Sequence, residues 1–382
     1  MVGTGKTISE GGVQRAKKPI VVSDWEGPWV SPDHAVDIAR AKLPRGDELW
    51  KALSNYALYL SDVKHVEGFQ PGGTLSLIAP FLITYGVGER DLNEMAVQDE
   101  RFIVGALEGI DFLRKTGHSF WVVSTSYHQY VWYTAQIAGI PQERTRCTYF
   151  PIESLQQGVR EHDKELVREI TDQVADTAAR QLDKFKCEED LLPNVREAAE
   201  MLNDIFLQRL RRSSFEHVLR TVRPVGGQRK LDSLREILRL EDRSIKEAAV
   251  IGDSITDRNM LGDTKNNRGL AIAFNGNAQA VENANVAVMS YDCMVTPLLI
   301  QIFGRAGIGE VEHVTMNWSQ ETLKREVSIG NLDEGLFERF LEPEEAKRAR
   351  AIWVTDDNMK RVIDESVKHR EEVRGAGAGK LT

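Results

Sequence analysis

The chain has 382 residues, with 58 acidic against 49 basic side chains and a formal net charge of −9. That balance argues against a nucleic-acid binder, which presents a basic face, and the length allows two or three domains or one core with large insertions. Cys147, Cys187 and Cys293 lie far apart with no C-x-x-C pair, which argues against a zinc site or disulfide framework and fits a reducing, cytoplasmic setting.

Residues 1–17 are Gly-rich and polar and read as a disordered tail. The opening "MVGTGKTISEGG" lacks the apolar core of a signal peptide, and no apolar run approaches the ~18 residues of a membrane span. Neither "VGTGKT" nor the closing "GAGAGKLT" has the first glycine and preceding strand that a phosphate-binding P-loop needs.

The first strong element begins at residue 20, "IVVSDWEGPWVSPD". A strand-like apolar run ends abruptly in Asp24 and Glu26 and passes at once into turn residues. Carboxylates are costly to bury without partners. The stretch therefore reads in two ways: a plain polar strand end, or an acidic site at the C-terminal edge of a parallel sheet, where open α/β folds keep their ligands.

Residues 31–100 read as a mainly helical insertion. "SPDHAVDIARA" offers Ser31 as an N-cap and Pro32 at the first helical position. "GDELWKALSNYALYLSDV" has apolar residues at helical spacing. "FQPGGTLSLIAPFLITYGVG" is the most apolar part and reads as a loop followed by a buried helix or strand.

Strand–helix alternation follows over 101–150. "ERFIVGALEGIDFLRKTGH" predicts a helix, "SFWVVSTSY" a strand ending in Ser124, Thr125 and Ser126, "HQYVWYTAQIAGI" a helix and "RTRCTYF" a strand. This alternation implies a parallel sheet. Residues 151–221 interrupt it as a second helical insertion, with Leu166, Ile170, Val174, Ala178 and Leu182 on one face, and Leu191, Val195, Ala198, Leu202 and Ile205 on another. The α/β pattern resumes over 222–304 with "RKLDSLREILRL", "EAAVIGDS" and "GLAIAFNGN", and 305–382 reads as a charged, helical C-terminal extension.

Four pieces fall where strands give way to loops or helices: Asp24 with Glu26, Ser124, Lys230, and "VIGDSITD" with Asp253 and Asp257. Carboxylates from two strand ends suit Mg²⁺, which takes oxygen ligands. Asp24 is the candidate nucleophile, and Glu26 the candidate proton carrier, two residues on and therefore on the same side of an extended chain. Ser124 and Lys230 supply a hydroxyl and a fixed positive charge for phosphoryl oxygens.

In order and type, "DWEGP", "VVSTS", "RKLDSL" and "GDSITD" resemble the four motifs of the haloacid dehalogenase (HAD) superfamily. The resemblance covers about 20–30, 101–150 and 222–300, and is nearest to the phosphoserine phosphatase branch, with Glu in place of the second Asp. A D-x-E-G form is also similar to a phosphoserine:homoserine phosphotransferase. The resemblance implies a doubly wound, Rossmann-like parallel sheet with helical caps, and a Mg²⁺-dependent phosphatase acting through an aspartyl-phosphate on Asp24. It implies a metal set drawn from Asp24, Glu26, Asp253 and Asp257. Thr125, Asp33 and Asn275 are the candidate substrate contacts. Asp33 stands where the family's phosphoserine enzymes meet an ammonium group, but reads first as a first-turn acid near the helix dipole. Asn275 reads first as part of an Asn-Gly turn.

Two alternatives accompany this reading. One is phosphoryl transfer to an alcohol. The other is a non-catalytic subunit on the same scaffold within a larger assembly, such as an energy-converting hydrogenase complex. The expected partner is a small phosphorylated metabolite, with no nucleic acid and no membrane, and self-association is left open.

Overall fold

A computed structural model describes residues 18–374, apart from 32, 181, 186 and 343–347. The expected disordered tail at 1–17, the closing "GAGAGKLT" and Pro32 lie outside those residues. Among the described residues seven strands form one sheet: β1 (Ile20–Ser23), β2 (Phe120–Tyr127), β3 (Thr145–Thr148), β4 (Ala248–Gly252), β5 (Leu270–Phe274), β6 (Val286–Met289) and β7 (Arg350–Trp353). Their order is β3-β2-β1-β4-β5-β6-β7. The first six are parallel, and β7 closes one edge antiparallel to β6.

β1, β4, β5 and β6 are buried at every residue. Their side chains, mostly Val, Ile and Ala, feed two apolar layers, one on each face, as a parallel sheet covered by helices on both sides requires. The chain winds outward from β1 through β2 to β3, then returns to place β4 on the other side of β1. The crevice between β1 and β4 is thus the topological switch point. This is the expected doubly wound α/β architecture.

The two insertions share one hydrophobic body. Leu53, Tyr56 and Phe81 of the first pack in a common cluster with Val167, Ile170, Phe206 and Phe215 of the second. Neither insertion has a core of its own, and together they form a single helical cap. The apolar stretch of the first insertion is a helix, Thr74–Thr84, buried along its whole length.

Three local expectations change. The first cap helix starts at His34 with Asp33 at its N-cap, because Val30 bridges Phe102 and the Ser31 amide is bonded to the Arg101 carbonyl. The helix expected from residue 100 begins at Ala106, since Phe102 and Val104 are held in extended bridges. The C-terminal extension is not wholly helical. It supplies β7, whose Ala351 and Ile352 extend the sheet, and then the helix Met359–Arg374, which returns toward the switch point.

Candidate active site

The Asp24 amide donates to the Ile251 carbonyl at 2.9 Å, which sets the end of β1 level with the end of β4. Oxygens of Asp24, Asp253 and Asp257 consequently lie within 4.8 Å of one another, all three residues buried. Gly252 makes this packing possible: a Cβ there would stand 2.5 Å from the Asp257 side chain. The Asp257 Oδ2 turns back to accept the amides of Asp253 and Ser254, each at 3.0 Å. The G-D-x-x-x-D spacing is therefore the spacing of a carboxylate that caps its own strand–helix turn.

Lys230, in the first turn of the helix Gln228–Leu240, is sealed from solvent. Its Nζ lies 2.6 Å from Asp24 Oδ2 and 2.7 Å from Asp257 Oδ1. Burial alone would lower its pKa, but the two carboxylates more than offset that and hold it charged. Asp24 is pushed well above the usual carboxylate range, first by burial and then by Asp257, with Lys230 opposing. Burial also raises Glu26, followed by the nearby Asp33. The His34 amide, 2.9 Å from Glu26 Oε1, and the Ser126 hydroxyl pull it back only in part.

A cavity of about 90 Å³ opens above these groups. Asp24, Glu26, Asp33 and Asp253 line its floor and side, with Thr125, Ser126 and residues 254–256. The cap supplies an apolar wall of Trp50, Ala57, Leu58 and Leu75, together with the hydroxyls of Ser54 and Thr74. Contacts that draw the cap onto the core include the Tyr127 hydroxyl donating to the Leu75 carbonyl at 2.7 Å, Arg229 donating to the Gly68 carbonyl at 3.1 Å, and two beside the cavity. Arg258 and Asp62 form a two-pronged pair at 2.7 and 2.9 Å. The loop at Gly72 packs against Thr125, where a Cβ would come within 2.7 Å of the threonine methyl.

Several expected site residues are placed differently. Glu26 stands outside the three-carboxylate group, because its Oε1 is turned to the His34 amide. Ser124 is buried and does not line the cavity; its Oγ accepts the Ser126 amide at 3.2 Å. The strand runs on to Tyr127 with shifted pairing after Val123, so Thr125 and Ser126 reach the cavity instead. The Thr125 hydroxyl donates to the Val225 carbonyl at 2.9 Å. Asn275 does not line the cavity either. Its side chain is bonded at both ends to the Ser290 backbone, which holds a turn at φ +47°. Asp33 does line the cavity, and burial pushes its carboxyl up to about 6.

Sequence reasoning missed Ser126, the apolar cap wall, and two arginines of the last helix. Arg370 and Arg374 both contact Asp253 Oδ2, at 2.6 and 3.0 Å. Burial would raise Asp253, but these guanidiniums, Arg370 foremost, hold it below the usual range. No motif announces them; their only signal is the heavy charge of an amphipathic C-terminal helix.

The donor set suits a hard divalent cation. Its ligand atoms are all carboxylate oxygens. Around the site, Asp24, Glu26, Asp33, Asp253 and Asp257 set five formal negative charges against the three positive charges of Lys230, Arg370 and Arg374. The difference is −2, and this repulsion between carboxylates adds to the burial that is the larger cause of the raised Asp24 and Glu26.

No family model matches the sequence, and no curated protein matches it. Among solved structures, gene product AF1437 from Archaeoglobus fulgidus matches with a TM-score of 0.74 at 25% identity, over 95% of this chain and 99% of that one. A share that large takes in both insertions as well as the sheet. Two phosphoserine phosphatase structures match more distantly. The substrate-bound complex has a TM-score of 0.42 at 15% identity, over 72% of this chain and 95% of its own. The phospho-aspartyl intermediate analogue has a TM-score of 0.40 at 16% identity, over 71% and 93%. The sheet order, with the motif residues at the ends of β1 and β4, is that of a doubly wound α/β core with its site at the switch point.

Proposed function

We propose that this chain is a phosphomonoesterase of the HAD type, acting on a small phosphorylated metabolite through an aspartyl-phosphate on Asp24. The observation that carries the reading is Asp24, paired with the buried Lys230 beneath it, lining a cavity whose other acids are Glu26, Asp33 and Asp253. A structural ion pair has no need of four carboxylates facing one enclosed space.

Asp253 and Asp257, with Asp24, are the residues that would hold Mg²⁺. When bound, the ion supplies the positive charge that keeps Asp24 ionised and offsets part of the charge on the phosphoryl group. Lys230 fixes the Asp24 carboxylate through Oδ2. Asp24 attacks phosphorus, the bond from phosphorus to the leaving oxygen breaks, and Glu26 gives that oxygen its proton. Burial, the main cause of the raised Glu26 pKa, favours its protonated form, as a proton donor requires. Glu26 then takes a proton from water, which attacks phosphorus, releases phosphate and restores Asp24.

The enclosed space is small beside the ~300–1,000 Å³ of a typical ligand pocket. Substrate access therefore involves parting of cap and core at the Arg258–Asp62 contact and the Gly72 loop. The apolar wall of the cap favours a substrate with a short carbon skeleton over a highly charged one. No helix among the described residues is long and apolar enough to cross a membrane. The three cysteines are free, which supports a reducing, cytoplasmic location.

The test is phosphate release from a panel of small phosphomonoesters, with Mg²⁺ and with chelator, in water and with added alcohols. Metal-dependent release is expected. Transfer to an added alcohol without phosphate release would make the chain a phosphotransferase instead. No turnover of any phosphoryl donor, with either acceptor, would contradict the proposal.

A further inference from the structure

The sheet and cap account for a cavity and its acids, but not for a buried arginine beside them. Arg370 is fully buried. Its Nη1 lies 2.6 Å from Asp253 Oδ2, 3.1 Å from the Asp253 carbonyl and 3.0 Å from the Asn275 carbonyl. One turn further along the same helix, Arg374 Nη2 lies 3.0 Å from the same carboxylate oxygen. Arg374 also lines the cavity.

The surroundings are shaped around this contact. Ser366 donates to the Gly276 carbonyl at 2.7 Å, which seats the helix on the turn after β5. The left-handed Asn275 belongs to that turn, and its carbonyl receives Arg370. Gly27, directly after Glu26, has φ +102°. A Cβ there would stand 2.1 Å from Arg374 Nη2 and 2.4 Å from Asp253 Oδ2. The glycine of "DWEG" is thus the opening through which the last helix reaches Asp253.

We propose that Arg370 and Arg374 are positioning residues that hold Asp253 by one oxygen and set the affinity of the acidic cluster for a divalent cation. The inference rests on the proposed cation role of Asp24, Asp253 and Asp257. Two physical consequences follow. Arg370, deep and held at three points, fixes the orientation of the carboxylate. Arg374, at the rim, places a like charge beside any cation that Asp253 binds and takes up part of the carboxylate's own charge. Both effects of Arg374 weaken cation binding, so its removal has one sign.

The test is Mn²⁺ binding to the substrate-free protein, by calorimetry and by electron paramagnetic resonance, with melting temperature in chelator as the check on folding. Arg374→Ala is expected to bind Mn²⁺ about tenfold more tightly than wild type, the scale of one like charge acting across a partly wet site. Arg374→Lys, which keeps the charge, is expected to stay near wild type. Should Arg374→Ala lose its fold, Arg374→Gln reads the same charge with a longer side chain. Unchanged or weaker binding in a folded neutral variant would overturn the inference while leaving the proposed function standing. Mn²⁺ bound by neither wild type nor variant would overturn both the inference and the cation role. Binding by the variant alone would support the inference in its strongest form.

Discussion

The Lys230 ammonium lies 2.6 Å from Asp24 Oδ2, with both side chains withdrawn from solvent. The pair joins the end of β1 to the helix Gln228–Leu240, two elements more than two hundred residues apart in the chain. Lys230→Met would leave Asp24 and Asp257 facing each other without compensation. Breaking a buried pair from one side costs about 3–5 kcal/mol. A loss of that size in urea unfolding, with loss of any phosphatase turnover, is the expected result. A variant as stable as wild type would show that the carboxylates find other partners.

Gly252 is the second point at which sequence and geometry lock. Gly252→Ala places a methyl 2.5 Å from the Asp257 side chain. Overpacking of this kind costs about 1–3 kcal/mol. Asp257 is expected to leave its two backbone amides, lowering the melting temperature and weakening Mn²⁺ binding together. A variant with wild-type stability and affinity would contradict the packing argument.

The pH dependence has a definite sign. The Asp33 pKa is raised to about 6 from an ordinary value near 3.8, so the folded state holds this proton more tightly than the unfolded state does. Its contribution to stability is full below the ordinary value and is lost as pH rises through about 6. In chelator, Asp33→Asn is expected to be the more stable protein at neutral pH, by on the order of 1–3 kcal/mol. The difference should shrink toward pH 4. Chemical denaturation at several pH values measures it, and a variant less stable than wild type at neutral pH would contradict the sign.

Arg258 and Asp62 span core and cap, both partly exposed. Such pairs contribute at most about 1 kcal/mol. Asp62→Ala is accordingly expected to leave global stability almost unchanged while speeding amide exchange in the loop around Gly72. Equal exchange in both proteins would show that the loop does not open through this contact.

The site was legible in the sequence where chemistry and chain order coincide. Asp24, Asp253 and Asp257 follow recognisable strands and Lys230 opens a recognisable helix, and the structure gathers all four at the β1–β4 switch point. Ser124 misled because periodicity places a strand but does not fix where its regular pairing ends; the shift after Val123 brings Thr125 and Ser126 to the cavity. The shared cap core was invisible because each insertion shows an apolar face without naming its partner. Arg370 and Arg374 were hidden for a similar reason. A basic residue in a charged helix usually faces solvent, and only the strand β7 that precedes this helix turns it back onto the site.

The central claim is that phosphorus becomes bonded to Asp24, and the most direct measurement is mass analysis of acid-quenched protein during turnover of a phosphomonoester that it hydrolyses. The account predicts one phosphoryl group on the peptide carrying Asp24, absent from Asp24→Asn, which also fails to release phosphate. Phosphate release by Asp24→Asn at the wild-type rate, with no adduct on that peptide in either protein, would contradict it.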